Sequence, residues 1–466
     1  MSFELETAPN RENLRRVAID PVSRVEGHGK VTLLLDEAGH IHEARLHIVE
    51  FRGFEAFIRG RPYWEVPVMV QRLCGICPVS HHLAAAKALD RVVGAVPVTA
   101  TADKMRRLMH YGQILQSHAL HFFHLSSPDL LFGFGSPVGQ RNIVGVARAH
   151  PDVAKQGVLL RKFGQEVIRA TAGKRIHGTA AVPGGINRHL DAADRDLLAA
   201  EVDQMVAWSQ GAVALVRRLH EADPALYDQF GHFESGLLSL VRDDGAMDLY
   251  DGHLRLRDAA GTILRDDVAD QEYLSLITEE VRAWSYMKFP YVTELGPQAG
   301  WYKVGPLARV QNCDFIPSPL AFHWARMIEM LHAAEVIREM LPDPDLVAGE
   351  RMADGVRTGE GVGIIEAPRG TLIHHYGVGD DDLVSMCNLI VSTTHNNQAM
   401  NHAVRAVARK YLDGRELTEG LLNHIEVAIR AFDPCLSCAT HALGKMPLIV
   451  ELHDAGGAVV DRLSRD

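Results

Sequence analysis

No apolar run in this 466-residue chain approaches the about eighteen residues that a membrane span needs, and the opening MSFELETAPNRENLRR lacks the apolar centre of a secretory signal. Direct membrane insertion is therefore not expected and the default address is the cytoplasm, although a partner bearing a signal can carry a folded chain across a membrane. A basic excess is also missing. The 48 Lys and Arg against 59 Asp and Glu leave a net charge of -11, which disfavours a surface built to neutralise phosphates, so nucleic acid is not an expected partner. There is no G-x-G-x-x-G after a strand; Gly361-x-Gly363 is an isolated fragment that more simply serves a turn. Internal repeats and long Pro/Gly/Ser linkers are absent, which points to one large unit. Cysteine is scarce, six in all, too few for a disulfide scaffold and kept as thiols in a reducing compartment.

What is present is ordinary globular material, 47% hydrophobic and 23% charged, enough for a large core. Residues 31 to 49 read as a hairpin, with VTLLL, a turn at Asp36 to Gly39, and alternating Ala44, Leu46 and Ile48. From about Val79 helical periodicity dominates, near 101 to 125, 151 to 172, 190 to 222, 319 to 341 and 397 to 432. Between about 236 and 268, short apolar runs broken by Asp243-Asp244-Gly245, Asp251-Gly252 and Ala260-Gly261 predict a small sheet. The expected class is α+β, mainly helical, with N-terminal strands and that small internal sheet.

The cysteines are scarce but not scattered. Four form two C-x-x-C pairs, Cys74/Cys77 and Cys435/Cys438, while Cys313 and Cys387 are single and read as small buried residues. Pro78 suits a first helical turn, which places Cys77 at the N-cap, where backbone N–H groups and the helix dipole favour the thiolate that binds metal. The second cluster is expected to repeat the design, with Asp433 capping, Pro434 starting a helix, and Cys435, Cys438 and His441 following at i, i+3 and i+6. Four sulfurs suit structural zinc, but zinc pairs usually lie close together in a small module, whereas Cys77 and Cys435 are nearly a chain apart. An iron-sulfur cluster or a soft metal such as nickel fits four thiolates equally well.

The strings Arg72-Leu73-Cys74-Gly75-Ile76-Cys77 with His81, and Asp433-Pro434-Cys435-x-x-Cys438-x-x-His441, resemble the two signature motifs of the large subunit of nickel-iron hydrogenases. The resemblance continues in Arg24-Val25-Glu26-Gly27-His28, Phe51-Arg52-Gly53-Phe54-Glu55, His177-Gly178 with Pro183-Gly184-Gly185, and Glu366-Ala367-Pro368-Arg369-Gly370, and covers about residues 17 to 466. FRGFEAFIRGRPYWEVPVMVQRLCGICPVSHHLAAAKALD, VRAWSYMKFP and DPCLSCATHALGKMPL most resemble the catalytic subunit of the cytoplasmic, bidirectional NAD-reducing subgroup.

The resemblance implies nickel held by all four sulfurs, Cys74 and Cys435 terminal, Cys77 and Cys438 bridging to an iron with cyanide and carbon monoxide ligands. It implies heterolytic cleavage of dihydrogen, with Cys435 the first proton acceptor and Glu26 the next, a partly buried carboxylate able to change charge. The bland alternative for Glu26 is a salt bridge, to Arg24 for instance. Pro368 and Arg369 would border the iron's diatomic ligands, Arg369 giving a fixed positive charge and Asp433 orienting it. An ordinary carboxylate partner such as Glu366 is the alternative for Arg369. Ser117 stands where certain membrane-bound members carry an aspartate, so a mechanism needing both carboxylates is in doubt here. His81 would hydrogen-bond the Cys77 sulfur and tune the metal; His82 reads as packing, and His121, His124, His374 and His375 carry no assigned role.

The resemblance also implies a magnesium site at Glu55, His441 and the backbone carbonyl of Leu389. With no further cysteines for a relay, an iron-sulfur small subunit must carry electrons, and NAD and FMN would sit on diaphorase partners. Three segments are expected: a tail at 1–16, the hydrogenase large-subunit domain at 17–441, and a propeptide at 442–466 that a maturation endopeptidase removes after nickel-insertion chaperones have loaded the site. In that propeptide, MPLIVELHDAGGAVVDRL reads as two strands around Gly456-Gly457. Rival readings are a hydrogenase delivering electrons to NADP, a deazaflavin or a ferredoxin-like acceptor, the quinone-reductase relative in respiratory complex I, which lacks the four cysteines, and a non-enzymatic zinc protein.

Overall fold

The computed structural model describes residues 15–310, 318–440, 448–453 and 459–465. Its first element is a three-stranded antiparallel sheet, Arg15–Ile19, Gly29–Leu35 and Ile41–Ile48, whose second and third strands are the expected hairpin. The Asp36 carboxylate caps the turn by accepting from the amides of Ala38 and His40. Val31 lies opposite Leu46 and Leu33 opposite Ala44, so one face of the hairpin joins the main core.

The helical body follows. The helices Ala100–Leu120, Pro151–Ala172, Ala192–Ala222 and Ala321–Met340 match four of the expected periodic stretches. Thr99 and Asp191 cap two of them, each accepting a first-turn amide, and Pro151 occupies a first turn where its missing N–H costs nothing. The first helix ends in a π-helical turn, His121–Ser126. The fifth stretch, expected over 397 to 432, is two helices, Asn397–Val407 and Glu419–Ala431. The break has a tertiary cause. Asp413 accepts the amide of Ile41 and the Gly414 amide donates to the Gly39 carbonyl, so the chain leaves the helical path to meet the N-terminal hairpin.

The expected small sheet is present as Gly236–Val241, His253–Arg257 and Ile263–Val268, with Tyr302–Lys303 added in parallel. A second sheet is not foreseen by the sequence pattern: Glu360–Ala367, Gly370–Val378 and Val384–Ile390, antiparallel. Its middle strand is buried along its whole length, so it shows no polar alternation to betray it. The helix Pro78–Val92 lies against this sheet so closely that a Cβ on Gly363 would stand 2.4 Å from the Ala84 carbonyl oxygen. Among the described residues no helix is long and apolar enough to cross a membrane. At the C-terminus, Leu448–His453 pairs antiparallel with Val459–Arg465, the two strands expected of the tail.

Candidate metal centre

The first cysteine pair is built as local rules require. A short 3-10 turn, Val70–Leu73, delivers Cys74 in an extended conformation, and Cys77 is the N-cap of the Pro78–Val92 helix. The amides of Ile76 and Cys77 both point at Cys74 Sγ, at 3.2 and 3.3 Å.

The second pair departs from expectation. Asp433 does not cap an α-helix: it has a positive φ of 53°. The chain instead pairs with the N-terminal segment in parallel, Glu26 against Cys435, and the Leu436 amide donates to the Glu26 carbonyl. Only a 3-10 turn, Ser437–Ala439, follows. Extended pairing at Cys435 and helix initiation at Pro434 are mutually exclusive, and the long-range backbone bond wins. Gly27 makes the approach feasible, since at φ +83 a Cβ there would lie 2.7 Å from the Ser437 nitrogen. The Cys435 amide is held by the Thr393 hydroxyl at 2.9 Å.

These two pieces of chain bring all four sulfurs within 4.8 Å of one another, and all four cysteines are buried. Cys74 and Cys435 stand 3.2 Å apart, Cys77 and Cys438 3.9 Å. Burial opposes the Cys74 thiolate, yet the neighbouring sulfurs and the Arg369 charge hold that thiol well below its ordinary range. Cys435 and Cys438 are driven well above it by burial and by the surrounding sulfurs. Buried thiols competing for so little positive charge form a donor set that a soft cation completes.

Arg369 supplies the charge that is present. It occupies the tip of the hairpin between the strands Glu360–Ala367 and Gly370–Val378, where Ala367 pairs with Gly370. Its Nε donates to the Asp433 carbonyl at 2.6 Å and its Nη2 to Asp433 Oδ1 at 3.0 Å. Nη1 is buried without a partner, as is Asp433 Oδ2. A buried donor left over in this way suits an acceptor brought by the bound group, such as the cyanide on an iron beside the nickel, and the residues present fit the bimetallic group on that count. The alternative partner Glu366 is engaged elsewhere, with Arg309 at 2.8 Å. Arg309 also donates to the Ala367 and Pro368 carbonyls, and so fixes the hairpin tip from below. Sequence reading missed Arg309 and Thr393, because nothing local distinguishes them from ordinary helix or loop residues.

Glu26 is half-buried beside the second motif. Its carboxylate accepts the Ser437 hydroxyl and, at 3.2 Å, the Ser437 amide. Arg24, the alternative partner, turns to Asp129 at 2.6 Å. Ser117 is buried with its hydroxyl unpartnered, so no carboxylate stands at that position. His81 Nδ1 meets His374 Nε2 at 3.1 Å, and His374 Nδ1 meets the Tyr376 hydroxyl at 2.6 Å. His82 bridges structure, bonding the Pro67 carbonyl and accepting the Ala181 amide, and burial pushes it down to about 4. His121 lies in the π-helical turn, bonded to the Arg430 carbonyl and stacked on His323. His375 joins Tyr273 to Glu360, away from the sulfurs' side of the strand. Cys387 is buried, which pushes its thiol well up.

Glu55, buried in the short helix Phe54–Ile58, accepts the Leu389 amide at 3.0 Å. Leu389 belongs to the edge strand Val384–Ile390, and its amide faces away from the neighbouring strand; in a β-strand the carbonyl of the same residue points to that same side. The Thr440 carbonyl accepts the amides of Arg52 and Gly53, drawing the end of the second motif to this helix. His441 and Cys313 lie outside the described residues.

A HoxL-like family model matches residues 16–51, and the nickel-dependent hydrogenase model matches residues 52–131 and 273–441. The NAD-reducing hydrogenase HoxS subunit beta of Cupriavidus necator is 48% identical, over 97% of this chain and 100% of its own length. The sulfhydrogenase 2 subunit alpha of Pyrococcus furiosus is 29% identical over 91% of this chain and 98% of its own. Among solved structures, the crystal structure of an NAD+-reducing nickel-iron hydrogenase in the hydrogen-reduced state superposes with a TM-score of 0.90 at 59% identity, covering 92% of this chain and 99% of that one. The Ni-Fe-Se hydrogenase from D. vulgaris Hildenborough shares the fold, with a TM-score of 0.75 at 24% identity, covering 92% of this chain and 100% of that one.

Proposed function

The chain belongs to the nickel-dependent hydrogenase family, and from that premise we propose that it is the catalytic subunit of a complex that splits dihydrogen reversibly and heterolytically and passes the electrons to NAD. The observation that carries this reading is the convergence of four buried sulfurs, Cys74 and Cys435 being 361 residues apart, beside a buried guanidinium with an unused donor. Cys74, Cys77, Cys435 and Cys438 would hold the nickel-iron group, which when bound would supply the Lewis acidity that polarises dihydrogen and the redox capacity for its electrons.

The protein's own residues handle the proton and the charge. Cys435 Sγ takes the proton first. Glu26 receives it next, because its carboxylate is held against the Cys435–Cys438 loop by Ser437 and is also half-open to solvent. Arg369 keeps a permanent positive charge beside the sulfurs, and Asp433 fixes its planar fork. His81, buttressed by His374, orients the Cys77 side of the site. Glu55, the Leu389 carbonyl and His441 would hold magnesium and tie the second motif to the N-terminal part of the chain.

Among the described residues there is one cysteine cluster, so an iron-sulfur small subunit is needed to take the electrons away, and diaphorase partners carrying FMN and further clusters would bind NAD. The name of the 48% identical relative and of the matched crystal structure supports NAD over NADP, a deazaflavin or a ferredoxin-like acceptor. A cytoplasmic address suits an acceptor of that kind. The family match ends at residue 441, which supports reading 442–466 as a propeptide cut by an endopeptidase once chaperones have inserted nickel. The test is infrared spectroscopy of the purified complex, expected to show iron-bound CO and CN bands, with hydrogen-dependent NAD reduction. A four-sulfur site filled with zinc and devoid of those bands refutes the reading; bands without NAD reduction refute the acceptor alone.

A further inference from the structure

One carbonyl in the loop between the first two cysteines is gripped twice. Gln113 and Gln116, one helical turn apart on the Ala100–Leu120 helix, both donate their side-chain amides to the Ile76 oxygen, at 2.9 and 2.7 Å. Both side chains are buried. The Ile76 carbonyl shares a rigid peptide plane with the Cys77 N–H, so the two point in opposite directions: drawing the oxygen towards the helix aims that N–H at Cys74 Sγ. We infer that Gln113 and Gln116 are positioning residues that set the electron-donating strength of the Cys74 sulfur through the Ile76–Cys77 peptide.

Two effects act together. The double grip removes rotational freedom from the peptide, so its N–H spends its time on the sulfur. Two donors on one carbonyl also polarise the amide and make its N–H a stronger donor. Hydrogen bonds to a thiolate withdraw charge from it, weaken its donation to a metal and raise the metal's reduction potential. The arrangement carries a desolvation cost that packing alone does not call for. Gln113 Oε1 is buried with no partner, and an apolar side chain of the same length would avoid that penalty while losing the grip. Because both amides are neutral, they tune Cys74 without altering the charge balance that Arg369 maintains.

The inference rests on the nickel-iron reading of the site. Its test uses the assembled complex with Gln113→Met and Gln116→Met made singly and together; each single variant keeps one donor on Ile76, which protects folding. The expected result is a shift of the nickel midpoint potential to lower values in each single variant, followed by electron paramagnetic resonance during a redox titration, and a larger shift in the double variant. Nickel content and the cyanide bands should stay at the parent values, since Cys74 is terminal and Arg369 is untouched. An unchanged midpoint in both single variants overturns the inference. So does a displacement of the cyanide bands that accompanies the midpoint shift, because that would mark general distortion of the pocket. Parent enzyme lacking CO and CN bands would instead refute the metal reading and remove the inference with it.

Discussion

Replacing Glu26 with glutamine isolates a carboxylate's chemistry from its shape. In the native site both carboxylate oxygens accept from Ser437, one from the hydroxyl and one from the amide. A glutamine keeps one acceptor and turns a donor towards the other Ser437 group. The hydroxyl can rotate away, so the net loss is about one charge-assisted hydrogen bond, ~1–3 kcal/mol. That is well below the total stability of a domain, about 5–15 kcal/mol. The backbone pairing of Glu26 with Cys435 and Leu436 uses main-chain atoms and survives. The four sulfurs should therefore still load metal. Proton transfer is another matter: an amide cannot take a proton from Cys435, and loss of a positioned acid-base group costs about 10²–10⁴-fold in rate. The assay is hydrogen/deuterium exchange alongside hydrogen-dependent NAD reduction, normalised to nickel content. Both should fall together, with infrared bands at the parent positions. Glu26→Asp, which keeps the carboxylate but retracts it by one methylene, should fall between. A glutamine variant that exchanges at the parent rate with full nickel content would show that protons leave by another route.

Arg369→Lys should cut turnover by about 10²–10³-fold, the cost of losing a preorganised donor, and move the cyanide bands, because the charge survives while the fork on Asp433 does not; parent bands and parent turnover would remove Arg369 from the site's chemistry. Gly363→Ala forces a Cβ to 2.4 Å from the Ala84 oxygen and 2.5 Å from the Ala88 nitrogen, both backbone atoms, and should destabilise the helix-sheet contact by ~1–3 kcal/mol. A thermal melt should show a lower Tm and metal analysis a lower nickel content, and a variant as stable as the parent would contradict the rigidity of that contact. Mass spectrometry of active enzyme should find a large subunit ending at His441; active, nickel-loaded protein retaining Asp466 would refute the propeptide reading.

Much of the site is legible in the amino-acid sequence because its chemistry lies in short strings. The C-x-x-C pairs, the Pro78 helix start and the paired strands of the tail all rest on neighbours within a few residues, where spacing and propensity act. Identity of the residues is equally plain: Glu26, Glu55, Arg369 and Asp433 stand inside motifs with their own signature. Local strings thus carry the candidate residues of the centre and the α+β, mainly helical class.

Packing settles which of these groups meet. Arg24 pairs with Asp129 rather than Glu26, Glu366 with Arg309 rather than Arg369, and the peptide after Asp433 with Glu26 rather than with a helix of its own. The buried sheet around Arg369 and the interruption of the 397 to 432 stretch belong to the same class. Each partner chosen lies tens to hundreds of residues away along the chain, and local propensity is silent at that range. The deciding term is desolvation: a buried charge or backbone polar group must find a partner inside the fold, and which one lies within reach depends on how helices and sheets pack.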